Sequence, residues 1–286
     1  MNFMNKKEVQ LLLRQINFRP KKHLGQNFLI SHNTVDSIIS LSDLTQKDVV
    51  LEIGAGLGAL TEKIASKVMK IYAVEIDFQL YSYLKKKFSH IANLEILNGD
   101  ILKIDIPFHS KIVSNIPYKI TGPILEKFFF KMKPPQGVMI IEKKIAERIF
   151  LTDEYKKLSR ITIGLNSFMN PIFKKLISQN NFYPIPKIEN TLIKIVPRKK
   201  IDPYFKDNAS IEYYLKFIAG IMPYKNKNIV NAIELYFKVN FKNALTKFEI
   251  SKILQENNYQ NKKLKSFKIE DFIEISRLFR NLIIKT

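Results

Sequence analysis

The chain has 286 residues, 46% of them hydrophobic, enough to bury a sizeable core in one large domain or two smaller ones. It contains no cysteine, which excludes disulfide scaffolds, thiolate-held zinc, iron–sulfur clusters and thiol nucleophiles together and fits a cytoplasmic protein. Forty-seven basic against 26 acidic residues give a formal charge of +21 and point to an anionic polymer or surface as partner; only seven of the 47 are arginine, and an A/T-rich coding sequence produces the same lysine, isoleucine and asparagine bias.

The first residues, Met1 to Arg19, carry an apolar core, Val9-Gln10-Leu11-Leu12-Leu13, beside an acidic residue and without a small-residue cleavage pattern, so residues 1–20 read as a basic N-terminal extension and not a secretory signal. No later stretch approaches the roughly 18 uninterrupted apolar residues of a membrane span. From Thr45 to Glu142, β-rich runs alternate with helical patterns. The runs are Val49–Ile53, Lys70–Ile76, Leu94–Leu97, Lys111–Ser114 and Gly137–Ile141, with helices at Leu60–Val68, Leu80–Phe88 and Ile124–Lys131 between them. That alternation predicts a doubly wound parallel sheet. A helix at Leu158–Phe168 then precedes two strands, Pro171–Ile177 and Thr191–Val196, with no helix between them, which predicts a terminal antiparallel hairpin. After the Pro-bounded, charged Pro197 to Pro203 linker only helical periodicity remains. The expected organisation is an α/β, Rossmann-like domain over residues 21–199 and a small all-α domain over residues 200–286.

Chemistry concentrates at the ends of the predicted strands. Val49 to Thr61 runs from an apolar strand through Gly54, Gly56 and Gly58 into a helix, where glycines allow a tight turn and close approach of a nucleotide-like cofactor to free helix N–H groups. As Gly54-x-Gly56-x-x-Ala59 the loop also fits the dinucleotide fingerprint, so by itself it does not separate NAD from S-adenosylmethionine. Glu75 ends the second strand about twenty residues on and is placed to accept from ribose hydroxyls. Asp100 follows the third, where it can accept from an adenine amino group while Ile101 packs on the ring. Together the three strand ends favour S-adenosylmethionine. Asn115-Ile116-Pro117-Tyr118 follows the fourth strand. An amide oxygen and a backbone carbonyl of Ile116 or Pro117 can each accept one N–H of an adenine amine, turning its lone pair out of conjugation, while Pro117 stiffens the turn and Tyr118 stacks on the base. The four histidines lack metal-ligand spacing, and no metal is expected.

With these elements the sequence resembles the ribosomal RNA adenine N6-dimethyltransferase family, most closely its small-subunit branch, whose loss gives kasugamycin resistance. Lys21-Lys22-His23-Leu24-Gly25-Gln26-Asn27-Phe28-Leu29 is similar to the family's opening motif, and Phe182-Tyr183-Pro184-Ile185-Pro186-Lys187-Ile188 to its F-x-P-x-P-K-V loop. The resemblance implies cofactor contacts at Asn27, Leu29, Gly54, Glu75, Asp100 and Asn115, with Gln26, Gly56, Ile76 and Ile101 beside them. It implies a catalytic group of Asn115, Pro117, Tyr118 and Phe182, with Phe182 facing Tyr118 across the target adenine. It also implies dimethylation of two adjacent adenosines in the 3′-terminal hairpin loop of small-subunit rRNA, within a pre-assembled subunit, by a monomeric enzyme with a role in subunit maturation.

The sequence departs from the family where Ile188-Glu189-Asn190 replaces V-D-S, where Lys157 to Arg160 replaces a Y-G-R-L-like segment, and where Lys and Asn replace arginines at Tyr224 to Ile229. The alternatives are a large-subunit rRNA methyltransferase of the erythromycin-resistance type, a non-catalytic RNA-binding assembly factor, and an NAD oxidoreductase. The lysines expected on rRNA are Lys21, Lys22, Lys119, Lys187, Lys225 and Lys227.

Overall fold

The computed structural model describes residues 5–21, 24–150, 158–241 and 245–283. Lys22, His23 and Lys157 lie outside the described residues. The chain divides into two compact units, one of residues 1–128, 134–146 and 170–197, the other of residues 129–133, 147–169 and 198–286.

The first unit opens with helix α1 (Lys6–Gln15), capped by Asn5, whose side chain accepts from the Lys7 and Glu8 amides while Glu8 accepts from the Asn5 amide at 2.7 Å. The N-terminal extension is therefore an added helix, and it is docked: Val9 and Leu13 are buried with Phe18, Phe28, Leu57 and Leu80. Strand β1 (Phe28–Leu29) and helix α2 (His32–Leu41) follow, and then the alternating elements β2 (Val49–Ile53), α3 (Thr61–Ala65), β3 (Lys70–Glu75), α4 (Phe78–Lys87), β4 (Leu94–Asn98), β5 (Lys111–Asn115), α5 (Thr121–Phe129) and β6 (Gln136–Glu142). Helices α6 (Lys143–Ile149) and α7 (Arg160–Phe168) lead to β7 (Met169–Ile177), β8 (Phe182–Tyr183) and β9 (Asn190–Pro197).

The seven-stranded sheet runs β4-β3-β2-β5-β6-β9-β7, parallel from β4 to β6, with β9 antiparallel to β6. The doubly wound Rossmann-like sheet is as expected, and the last two strands close its edge with β9 on the inside. A second, two-stranded ladder pairs β1 with β8 antiparallel, setting Phe28 opposite Tyr183 and Leu29 opposite Phe182. No periodicity signals it, because each strand is two residues long. Between β2 and β5 the strand order reverses, so the loops after Ile53 and Asn115 flank a crevice at neighbouring strand ends.

The second unit holds α8 (Asn208–Ile221), α9 (Ile229–Asn240), α10 (Lys247–Glu256) and α11 (Ile269–Ile283), the helical region expected after residue 200. It also takes in α7, which lay on the other side of the expected boundary at residue 199. The physical reason is packing. Phe168 meets Phe205 with ring centroids 4.8 Å apart, Ser167 and Tyr214 share a buried hydrogen bond of 2.7 Å, and a Cβ on Gly164 would stand 2.4 Å from the Phe130 ring. Among the described residues no helix is long and apolar enough to cross a membrane.

Candidate active site

The loop after β2 is built on glycines in left-handed backbone, with φ of +73° at Gly54 and +60° at Gly56. Space for a side chain is tight there as well. A Cβ on Gly54 would lie 3.3 Å from Pro117 Cγ, and one on Gly56 would lie 3.1 Å from Phe28 Cδ1. The loop is thus clamped between the turn after β5 and the strap that carries β1.

Glu75, at the end of β3, is 4% exposed, and its two oxygens accept the Gly56 and Asp77 amides, each at 2.9 Å. Burial raises its pKa, and those amide bonds oppose the rise. Each oxygen keeps a lone pair for a hydroxyl. Asp77 caps α4 and holds the strap: Lys21 Nζ reaches it at 2.7 Å. Burial works against the Asp77 carboxylate, but the Lys21 hydrogen bond and the Gln79 and Leu80 amides outweigh it and hold its pKa below the usual range. The Gln26 side chain belongs to the same knot, accepting from the Lys21 amide at 2.7 Å and donating to Asp77 at 3.5 Å, so its amide is spent within the protein. Lys21 is correspondingly tied to Asp77, and Lys225 Nζ donates to the Leu158 carbonyl at 3.3 Å, whereas Lys119, Lys187 and Lys227 are exposed.

Asn115 carries the deciding polarity. Its Nδ2 donates to the Asn27 carbonyl at 3.1 Å, which leaves Oδ1 buried and without a hydrogen-bond partner among the described residues. A buried acceptor without a donor is costly unless a ligand supplies one. Pro117 follows with φ −59°, its carbonyl taken by the Ile120 amide at 3.1 Å, so the Ile116 carbonyl is the less committed second acceptor. The Tyr118 hydroxyl is also buried and has no hydrogen-bond partner among the described residues.

Two adjoining cavities meet at these residues. The larger, about 290 Å³, is lined by Asn27, Leu29, Gly54, Gly56 and Asn115 among others; the smaller, about 60 Å³, shares Asn27, Gly54, Gly56 and Asn115 and adds Gln26, Glu75, Ile76, Pro117 and Tyr118. Ile76 is 49% exposed at that edge, an apolar surface a planar ring would cover. Asp100 and Ile101 line neither cavity. One Asp100 oxygen caps the Leu102 amide at 3.0 Å and the other has no hydrogen-bond partner among the described residues, while Ile101 is buried. Phe182 stands apart too. It is 1% exposed in a core cluster with Leu29, Val35, Ile140 and Leu192, and among the described residues its ring makes no stacking contact with Tyr118.

Sequence reasoning passed over two contributors. Glu52 lies within the apolar run of β2 and lines the larger cavity, one carboxylate oxygen without a hydrogen-bond partner among the described residues. Burial pushes its pKa to about 8, the Thr61 hydroxyl opposing and the Glu75 charge adding to the rise. An acid in an otherwise apolar strand two residues before Gly54 was the available signal. Helix α1 supplies Val9 and Leu12 to the same wall, and nothing local announces that.

Residues 17–276 match the family model described as ribosomal RNA adenine dimethylase. The chain belongs to that family. It is accordingly an rRNA adenine dimethyltransferase that uses S-adenosylmethionine. Among its relatives, a probable ribosomal RNA small subunit methyltransferase A from Methanococcoides burtonii is 33% identical over 79% of this chain and 81% of its own. One from Thermococcus sibiricus is 30% identical over 94% and 96%. Among solved structures, a dimethyladenosine transferase from Plasmodium falciparum superposes with a TM-score of 0.76 at 24% identity over 89% of this chain and 98% of that one, and the 23S rRNA methyltransferase ErmE with 0.63 at 21% over 89% and 100%. At these identities the two structures establish the fold. The residues present suit the family's cofactor: a glycine cradle that a Cβ would fill, a buried carboxylate with free lone pairs, an orphaned amide oxygen and an uncovered apolar face.

Proposed function

We propose that this dimethyltransferase acts on the N6 amines of two adjacent adenosines in the 3′-terminal hairpin loop of small-subunit rRNA, within a pre-assembled small subunit, and that methylation accompanies subunit maturation. The observation that carries the chemistry is the polarity of Asn115, whose amide nitrogen is spent on Asn27 and whose oxygen is left as a lone acceptor. The small-subunit target rests on the names of the relatives, ribosomal RNA small subunit methyltransferase A, aligned along most of both chains. A monomeric, cytoplasmic enzyme working without a metal completes the reading.

The exocyclic amine of adenine is a poor nucleophile because its lone pair is delocalised into the ring. Asn115 Oδ1 and the Ile116 carbonyl each accept one N–H and favour a pyramidal nitrogen, whose lone pair then points across the crevice. Tyr118 stacks on the base and Pro117 keeps the turn from yielding. Phe182 lines neither cavity, and a second stacking face would require its ring to leave the core. Glu75 and the free Asp100 oxygen take the ribose hydroxyls and the adenine amino group of the cofactor, with Ile76 and Ile101 against its ring, while Asn27, Leu29, Gly54 and Gly56 line its remainder. S-adenosylmethionine, once bound there, supplies a methyl group already activated by a sulfonium leaving group. The side chains therefore need only position the amine and accept its hydrogen bonds, and the proton displaced from the methylated nitrogen leaves to water. The exposed Lys119 and Lys187 flank the catalytic turn and the loop after β8, where they meet rRNA phosphates.

The test is mass spectrometry of both rRNAs after small- and large-subunit particles from a methylase-null host are incubated with the protein and labelled cofactor. Dimethyladenosine at two adjacent small-subunit positions is expected. Label confined to the large subunit overturns the assignment.

A further inference from the structure

Asn190 is the first residue of β9 and lies opposite Glu142 at the end of β6. Because β9 runs antiparallel to β6, its start sits at the edge of the sheet where β5 delivers Asn115. Its side chain is wholly buried, and neither its oxygen nor its nitrogen has a hydrogen-bond partner among the described residues. A fully orphaned buried amide is rare, because such a group gives up its hydrogen bonds to water without replacing them. The Tyr118 hydroxyl is the complementary orphan. Burial pushes the Tyr118 phenol up to about 12, and the Asn190 side chain is the hydrogen-bonding group that opposes the rise. Tyr118 stands three residues past the end of β5 and Asn190 opposite the last residue of β6, so the two orphaned groups lie at the same end of the sheet, and no regular hydrogen bond closes between them in this structure.

We propose that Asn190 is a positioning residue for methyl transfer, its amide anchoring the Tyr118 hydroxyl when the target base is bound and thereby setting the plane on which the base stacks. The inference rests on the role given to Tyr118 above. An amide suits this task because it can donate to or accept from a hydroxyl, and the protonated phenol can do either in return. A tyrosine ring turns about a broad, shallow χ2 torsion, so a bond at its tip fixes the face that a base must meet. Contacts of this kind are commonly long without substrate and tighten in the complex.

A double-mutant cycle on the full chain with small-subunit particles tests the proposal. Asn190→Leu should lower kcat/KM for the particle about tenfold, the size expected when contacting residues couple. The affinity for S-adenosylmethionine should be unchanged. Tm should be equal or higher, because an orphaned amide gives way to an apolar side chain of similar size. Tyr118→Phe should match that loss, and the double variant should be no worse than either single one. Asn190→Ser, which keeps a hydroxyl, should recover part of the rate. If Asn190→Leu does not fold, Asn190→Ala takes its place in the cycle. Full activity of the Asn190 variants, losses that multiply in the double variant, or a fall in Tm and cofactor affinity alongside the rate would each overturn the proposal. Tyr118→Ala separates it from the reading beneath: full turnover in that variant removes the stacking role itself, whereas lost turnover with a multiplicative cycle removes only Asn190.

Discussion

The side-chain nitrogen of Asn115 donates to the backbone carbonyl of Asn27 at 3.1 Å, across 88 residues of sequence. This bond joins the end of β5 to the strap that carries β1, and it decides which end of the Asn115 amide faces the crevice. The acceptor proposed for methyl transfer is thus oriented by the segment that walls the larger cavity.

Asn115→Ala should remove the acceptor together with that orientation. Methyl transfer is expected to fall by about 10²- to 10³-fold, the scale seen when a positioned transition-state hydrogen bond is lost, with particle binding largely kept. Single-turnover methylation beside a particle-binding titration measures both, and unchanged turnover would end the role assigned to this residue.

Gly56→Ala places a Cβ 3.1 Å from the Phe28 ring at φ +60°. The left-handed conformation alone costs about 1–2 kcal/mol for a residue with a side chain. Tm should drop and the cofactor should bind more weakly, read by thermal melts with and without S-adenosylmethionine.

Glu52 makes stability depend on pH. An acid whose folded pKa is raised from 4.5 to about 8 contributes its full share only below pH 4.5, and that share is lost as pH climbs to about 8. Glu52→Gln should therefore gain Tm relative to the unaltered chain as pH rises from 5 to 8, with the two converging at the acid end. Parallel Tm curves across that window would show that the carboxyl is not held neutral.

Lys119→Gln and Lys187→Gln should each flatten the salt dependence of rRNA binding, lowering the slope of log K against log salt by about one. Lys21→Gln should act differently, weakening cofactor binding through the Asp77 knot and leaving the slope nearer its original value. Equal slope changes in all three would put Lys21 on the RNA instead.

Much of this site is legible along the chain because its parts are local. A glycine loop between strand and helix, an acid at the next strand end and an Asn-x-Pro-Tyr turn each need only a few consecutive residues, and the alternation of β-rich and helical runs orders them along one edge of a sheet. The +21 charge announced an anionic partner without saying which lysines meet it.

Tertiary structure decided what depends on distant partners. The β1–β8 ladder joins residues more than 150 positions apart and is too short to leave a periodic trace. The allegiance of α7 to the second unit is a matter of ring packing around Phe168 and Gly164. Whether an aromatic residue faces a base or fills the core, as Phe182 does, depends on which side of its strand is covered, and composition does not record that. The same holds for polar groups: the sequence singles out Asn115 but passes over Asn190 and Glu52, and only burial shows which of their atoms are left without a partner among the described residues. Sequence by itself determined the family of chemistry, because backbone conformation and donor type are local properties; the structure determined orientation, because orientation is set by what packs behind each group.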